Sequence, residues 1–228
     1  MSPADGAATR PLPEASAWLA TVAIAAESAL GWHAAFAHRP ADIHPAEWLE
    51  AEVFTDPARR RQWLAGRRAA KAALARLLAE EDFEPARLAI RSRDRFGRPT
   101  APMVWRDGRR LALHVSVAHG DRLAAAIASR DHRVGVDVVD ALRLDEPGDV
   151  DPWLFSAREA AYKVGEPATR DEPFRPADWH VERGESRDRG RVRHDRLGAR
   201  GLPVRWLGDV PGSAIFAVSW VREERSAA

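Results

Sequence analysis

Apolar positions along the chain change period several times, and each change predicts an element. Asp56-Pro57, an N-cap residue followed by proline at the first helical position, opens a segment running to about Glu80. Within it Trp63, Leu64, Ala70, Leu74, Leu77 and Leu78 fall on one helix face. In "LALHVSV", Leu111, Leu113, Val115 and Val117 alternate with Ala112, His114 and Ser116, the pattern of a half-buried strand. "LAAAIAS" follows the "AHGDR" turn and leads through a short polar link to "VGVDVVD", which predicts a three-stranded meander. In the third strand Gly135, Asp137 and Val139 share one face, and Val134, Val136 and Val138 the other. "FSAREAAYKVGEP" predicts a helix capped by Ser156, with Glu159 at capping-box spacing. Further strands are expected at "DWHVER", "LPVRW" and "AIFAVSWV". The Arg-rich stretch among them, "RGESRDRGRVRHDRLGAR", reads as a solvated loop or hairpin tip. "FGRPTAP" is a turn, and residues 1–16, rich in Pro, Ala and Ser, are expected to form a flexible N-terminus.

Composition narrows what such a chain can do. With 228 residues, 45% of them hydrophobic, it can bury a core as one large domain or two fused small ones. A formal net charge of +1 argues against strong affinity for a phosphate backbone, which weighs against an Arg-rich nucleic-acid or scaffold protein. The absence of cysteine removes disulfides, thiolate nucleophiles and Cys-ligated zinc, so any metal must be held by oxygen or imidazole. No basic and apolar leader opens the chain, and no run reaches the roughly 18 apolar residues of a membrane span, so a cytoplasmic protein is expected. Of the 35 basic residues only two, Lys71 and Lys163, are lysine.

Four places carry candidate chemistry, each with a plainer alternative. Arg67 projects into the apolar stripe of the first helix and Lys71 lies at its edge. Either their stems pack while the charges snorkel or pair with a carboxylate, or they line a buried anion site. Asp137 is an acid within an apolar strand. Glu159 and Lys163, four apart, are either ordinary helix chemistry or part of a site. His119, taken alone, reads as a solvated turn histidine.

In chain order, the basic helix, "GRP", the strand ending in "SVAH", "GVDVV" and "FSAREAAYK" resemble the 4'-phosphopantetheinyl transferase superfamily, in its longer, surfactin-type class. The likeness extends from about Arg59 to Pro167, and its specific parts are Gly-Val-Asp and Phe-Ser-x-x-Glu-Ala-x-x-Lys. It implies an α+β fold built as a pseudo-twofold pair of similar lobes, residues 17–115 and 116–228, with coenzyme A in the cleft between them. The implied reaction transfers 4'-phosphopantetheine from coenzyme A to a serine of an acyl or peptidyl carrier protein, requires Mg²⁺ and releases 3',5'-ADP. In that likeness Asp137 and Glu159 are the metal ligands, and Glu159 doubles as general base. Lys163 meets the pyrophosphate, while Arg67, Lys71, Arg98, Ser116 and His119 hold coenzyme A. A degenerate homologue that binds coenzyme A or a carrier protein with little transfer is the alternative within the same family.

Three departures from the family pattern shape these expectations. Where the family often carries a second acid after Gly-x-Asp, this chain has Val139, which implies water in that metal position. Its usual Ser-His pair is Ala118-His119, with Ser116 the nearest hydroxyl. The interval of 22 residues from Asp137 to Glu159 is short for the family, which implies a reduced second-lobe helix and an altered carrier-docking surface.

Overall fold

Two Asp-Pro steps start the longer helices. The computed structural model describes residues 7–15, 17–23, 40–79, 83–94, 96–120, 123–140, 151–165, 174–197, 201–208 and 214–222. Helix α2 (Pro57–Leu78) is capped by Asp56, whose carboxylate accepts from the Ala58 amide, and it ends at Ala79 in the left-handed region. Helix α3 (Pro152–Val164) is capped in the same way by Asp151, which accepts from the amides of Trp153 and Leu154. A shorter helix, α1 (Pro45–Ala51), precedes α2.

The strands form three antiparallel sheets. The first joins β1 (Ala7–Leu12), β2 (Ala17–Ala23), β7 (Leu123–Ser129) and β6 (His114–His119), in that order. The second, a small one, joins β3 (Leu88–Arg93), β4 (Pro99–Arg106) and β5 (Arg109–Arg110). The third runs β8 (His132–Asp140), β12 (Ala214–Arg222), β11 (Leu202–Gly208), β10 (Arg189–Arg193) and β9 (His180–Arg183). The fold is therefore mixed α+β.

Burial sorts these elements into layers. Helix α2 covers one face of the first sheet, where Ala69, Ala70 and Leu74 pack with Val115, Ala126 and Ala128. The opposite face offers Ala118, Ala125 and Ile127 to Val134, Val136, Val138 and Val218 of the third sheet. The far face of that sheet is covered by α3, through Ala157, Ala160, Ala161 and Val164 against Val204, Trp206 and Ala217. The order is helix, sheet, sheet, helix, and β8 lies in the middle of it. Alanine dominates these contacts, so the layers approach closely. At Gly135 of β8 a Cβ would stand 1.9 Å from the carbonyl oxygen of Ala160, so only glycine lets α3 sit this deep.

Several sequence expectations need correction. Residues 7–15, expected to be flexible, form β1 and a 3-10 turn. Leu12 and Ala17 are buried where β1 meets β2, and that anchors the segment. Residues 1–6 of that expectation lie outside the described ones. The meander stops at two strands: β6 pairs with β7, but the chain crosses at residues 130–131 and β8 pairs with β12 instead. Strand β6 begins at His114, because the Leu111 amide donates to Val104 O of the small sheet. The Arg-rich stretch does hold a largely exposed hairpin tip, at residues 184–188 between β9 and β10, but it continues into β10, whose Val192 is fully buried beneath exposed arginines. Ser156 does not cap α3; it lies inside the helix and donates to Trp153 O. The residue-115 boundary falls inside β6, whose sheet draws on both sides of it. The shortened interval covers residues 141–150, outside the described ones. Among the described residues no helix is long and apolar enough to cross a membrane.

Gly135→Ala should force α3 away from β8 or distort the strand. The expected loss of stability is about 2–4 kcal/mol, read as a lower denaturant midpoint; a midpoint unchanged from the parent would mean that the helix does not rest on this strand.

Candidate functional site

The site grows from a single peptide group of β8. In an antiparallel strand the N–H and C=O of one residue point to the same edge. At Val136 that edge faces away from β12, and both groups find partners outside the sheet. The Val136 amide donates to Ser116 Oγ at 3.1 Å, and Lys163 Nζ donates to Val136 O at 2.9 Å. β6 and α3 therefore meet β8 at one point.

The next residue is Asp137. Its neighbours Val136 and Val138 turn toward the first sheet, so its side chain turns toward α3, where it is buried. Lys163 Nζ lies 3.0 Å from Asp137 Oδ1 and 3.6 Å from Glu159 Oε2, the latter pair one helical turn apart. With Asp151 as the cap of α3, Glu159 has no capping duty, and of its plainer reading the i,i+4 pair with Lys163 is what the structure keeps. Burial pushes the Asp137 carboxyl up to about 6; Lys163 pulls it down and the Glu159 charge pushes it up again.

His119 ends β6, opposite Ala124. Burial lowers its imidazole to about 4, and the positive charges of Arg59, Lys163 and Arg67 act in the same direction. These three cations thus share a neighbourhood with His119, two of them facing carboxylates of their own, Lys163 those of Asp137 and Glu159 and Arg67 that of Glu50. Arg59 was not singled out in the sequence, although Arg59, Trp63, Arg67 and Lys71 recur every four residues on α2.

The two basic residues on the apolar face of α2 are engaged from within. Lys71 is buried, 2.6 Å from Glu47 Oε2, and donates to Asp42 O at 2.7 Å. Glu47, fully buried, also accepts from the amides of His44 and Ile90, each at 2.9 Å, so it joins α1, α2 and β3. Arg67 stacks on Trp63 at 4.0 Å, donates to Ser92 Oγ and lies 3.8 Å from Glu50. Burial lowers its guanidinium to about 10 against the pull of Glu47 and Glu50, while its Nε is buried without a hydrogen-bond partner. Neither acid was picked out in the sequence, because a seven-residue helix carries too little periodicity to reveal them. Arg98 is exposed in the β3–β4 turn, where Asp94 Oδ1 accepts from the amides of Phe96 and Arg98 and Gly97 takes a φ of 78°.

Of the sequence-predicted residues, Ser116, Asp137, Glu159 and Lys163 thus meet around Val136, and His119 shares their electrostatic surroundings. Arg67 and Lys71 belong to the Glu47–Glu50 network, and Arg98 to the hairpin. Val139 of β8 is half-buried. Among the described residues no group of three or more His, Asp or Glu is gathered for a metal. The donors that are present, two carboxylates that one ammonium does not neutralise, fit Mg²⁺, which takes one or two protein carboxylates and completes its shell with water and substrate oxygens. No protein-family model matches the chain, and no curated protein matches it.

Lys71→Met should leave Glu47 buried without its cation and cost about 3–5 kcal/mol, with Glu47→Gln in the same chain recovering part of it; equal denaturant midpoints for parent and single variant would show that the pair carries no such weight. The pH response follows from two opposed groups. Asp137, ordinarily near 3.8, holds its proton up to about 6 in the folded chain, so its contribution is full below 3.8 and is lost as pH rises through 6. His119, ordinarily near 6.5, stays neutral down to about 4, so its contribution is present above 6.5 and is lost as pH falls through 4. Between these limits the two offset each other. Relative to the parent, Asp137→Asn should lose stability as pH falls from 6 to 4, on the order of 2 kcal/mol. His119→Gln should gain, by less because the imidazole is partly exposed. Denaturant titrations at four pH values read both slopes.

Proposed function

We propose that the chain transfers 4'-phosphopantetheine from coenzyme A to a serine of an acyl or peptidyl carrier protein. The observation that carries this reading is the meeting of Asp137, Glu159 and Lys163, from the two specific motif segments, around one peptide group of β8. The exposed Arg59 near His119 supports it by offering a cation to a polyphosphate.

In the proposed reaction Glu159 accepts the proton of the carrier serine. The serine oxygen then forms its bond to the phosphorus that bears pantetheine, and the bond from that phosphorus to the oxygen bridging the two phosphates breaks. Lys163 offsets the charge that gathers on the departing oxygen as 3',5'-ADP leaves. Asp137 and Glu159 would hold Mg²⁺, which supplies charge stabilisation along the pyrophosphate when bound. Arg67 and Arg98 are proposed for the nucleotide end and Ser116 for orientation, whereas Lys71 would act through its hold on Glu47.

The reading also takes the molecule as two lobes related by a pseudo-twofold, with coenzyme A between them. Its support is that each of the two large sheets carries one helix on its outer face, each helix starts at an Asp-Pro step, and β6 and β8 lie against each other at the junction. A second reading, a homologue that binds coenzyme A with little transfer, draws on Val139 standing where a third acid would be.

Incubation with coenzyme A, Mg²⁺ and a panel of apo carrier proteins should add the mass of one phosphopantetheine to a carrier. Asp137→Ala and Glu159→Ala should each abolish the gain while keeping the parent's circular dichroism. Binding of coenzyme A with no mass gain on any carrier would favour the second reading, and absence of both would end the proposal.

A further inference from the structure

We propose that Lys163 is an internal counter-ion to Asp137 and Glu159 that a divalent cation must displace, so that cation entry releases its ammonium to a phosphate oxygen. This rests on the reading above that the two carboxylates receive a divalent cation.

The geometry argues it directly. Lys163 Nζ stands 3.0 Å from Asp137 Oδ1 and 3.6 Å from Glu159 Oε2, the two side chains that would ligate the ion. Magnesium sits about 2 Å from a carboxylate oxygen. An ion at that distance from Asp137 Oδ1 can lie no more than about 5 Å from an ammonium 3.0 Å from the same oxygen. Both are cations in a partly buried place, so they repel strongly and cannot share the pair.

The ammonium is held without being locked in. Val136 O, at 2.9 Å, is its one neutral acceptor among the described residues, a single contact that does not bind it as firmly as a carboxylate. The Lys163 side chain keeps 28% of its surface exposed, and its four-carbon stem can swing toward solvent. The charge count also favours exchange. One ammonium faces two carboxylates, and a doubly charged ion balances them while returning a free cation to the site. Lysine suits this part better than arginine, because a compact point charge exchanges places with an ion more readily than a planar fork.

The test uses Mn²⁺ alone, with no coenzyme A and no carrier, titrated by the loss of its free electron-spin-resonance signal. Lys163→Met should bind Mn²⁺ about tenfold or more tighter than the parent. Lys163→Gln, which keeps a donor for Val136 O and Asp137 without the charge, should do the same and serves if the Met variant does not fold. Adding Asp137→Asn to either variant should abolish the gain. If both Lys163 variants bind Mn²⁺ as weakly as the parent or more weakly, while Asp137→Asn weakens binding in the parent, the counter-ion proposal is overturned and the two-carboxylate ion site stands. If Asp137→Asn leaves Mn²⁺ binding unchanged in every background, the ion site falls and takes the proposal with it.

Discussion

The close approach of the α3 backbone to β8, possible only because Gly135 has no side chain, governs the arrangement of the rest. Ala160 O occupies the space a Cβ would need, and Lys163, one turn further along the helix, is thereby carried to Val136 O and Asp137. The same strand presents Val134, Val136 and Val138 to the first sheet, so β8 is covered on both faces and cannot shift toward either without opening a gap. A polar cluster on one face is thus held in place by an apolar one on the other. Alanines along β7 and on both long helices make the close layering possible, and each contributes little apolar surface of its own.

Polar ties supplement that thin apolar packing. Glu47 is the clearest case, since its two oxygens serve the start of α1, the edge of β3 and the one lysine of α2 at once. A fully buried carboxylate is costly unless every lone pair is met, and here backbone amides and an ammonium meet them. Ser116 performs a smaller version of the same task between the two large sheets. These ties fix orientation where methyl groups alone would allow sliding.

How much of this could be read in the sequence depended on the range of the interaction concerned. Helix α2 was legible because its period is sustained over six turns and its cap is local. Strand β7 was legible to the residue because turn signals bound its apolar run. The start of α3 was misread although it carries the Asp-Pro step that marked α2, because Ser156 and Glu159 offered a competing cap. The meander failed for a different reason: adjacency in sequence does not encode a change of sheet, and the partner of β8 lies far along the chain. Arg67 and Lys71 stood out as charges on an apolar face, but their acidic partners sit on a helix too short to show a period. Asp137, Glu159 and Lys163 were visible as residue types, whereas their meeting at one peptide group is a property of the folded layers alone.

The pairing of β8 with β12 also bears on how the chain comes to be folded. Asp137 lies opposite Ala217, roughly 80 residues later, and contacts so remote form slowly because a long loop must close first. At about 5–20 residues per second of synthesis, β8 precedes its sheet partner by about 4–16 s. During that interval the hydrogen-bonding edge of β8 that pairs with β12 awaits its partner, whereas its valine face can already rest on the first sheet, whose strands precede it. The opposite edge needs no such wait, since β6 has already been made and α3 follows within a few tens of residues, so Ser116 and Lys163 can engage Val136 before the third sheet exists. Their contacts would shield a nascent strand from pairing with its neighbours on other chains, and the order of synthesis would then favour assembly of the polar cluster ahead of the sheet that finally encloses it.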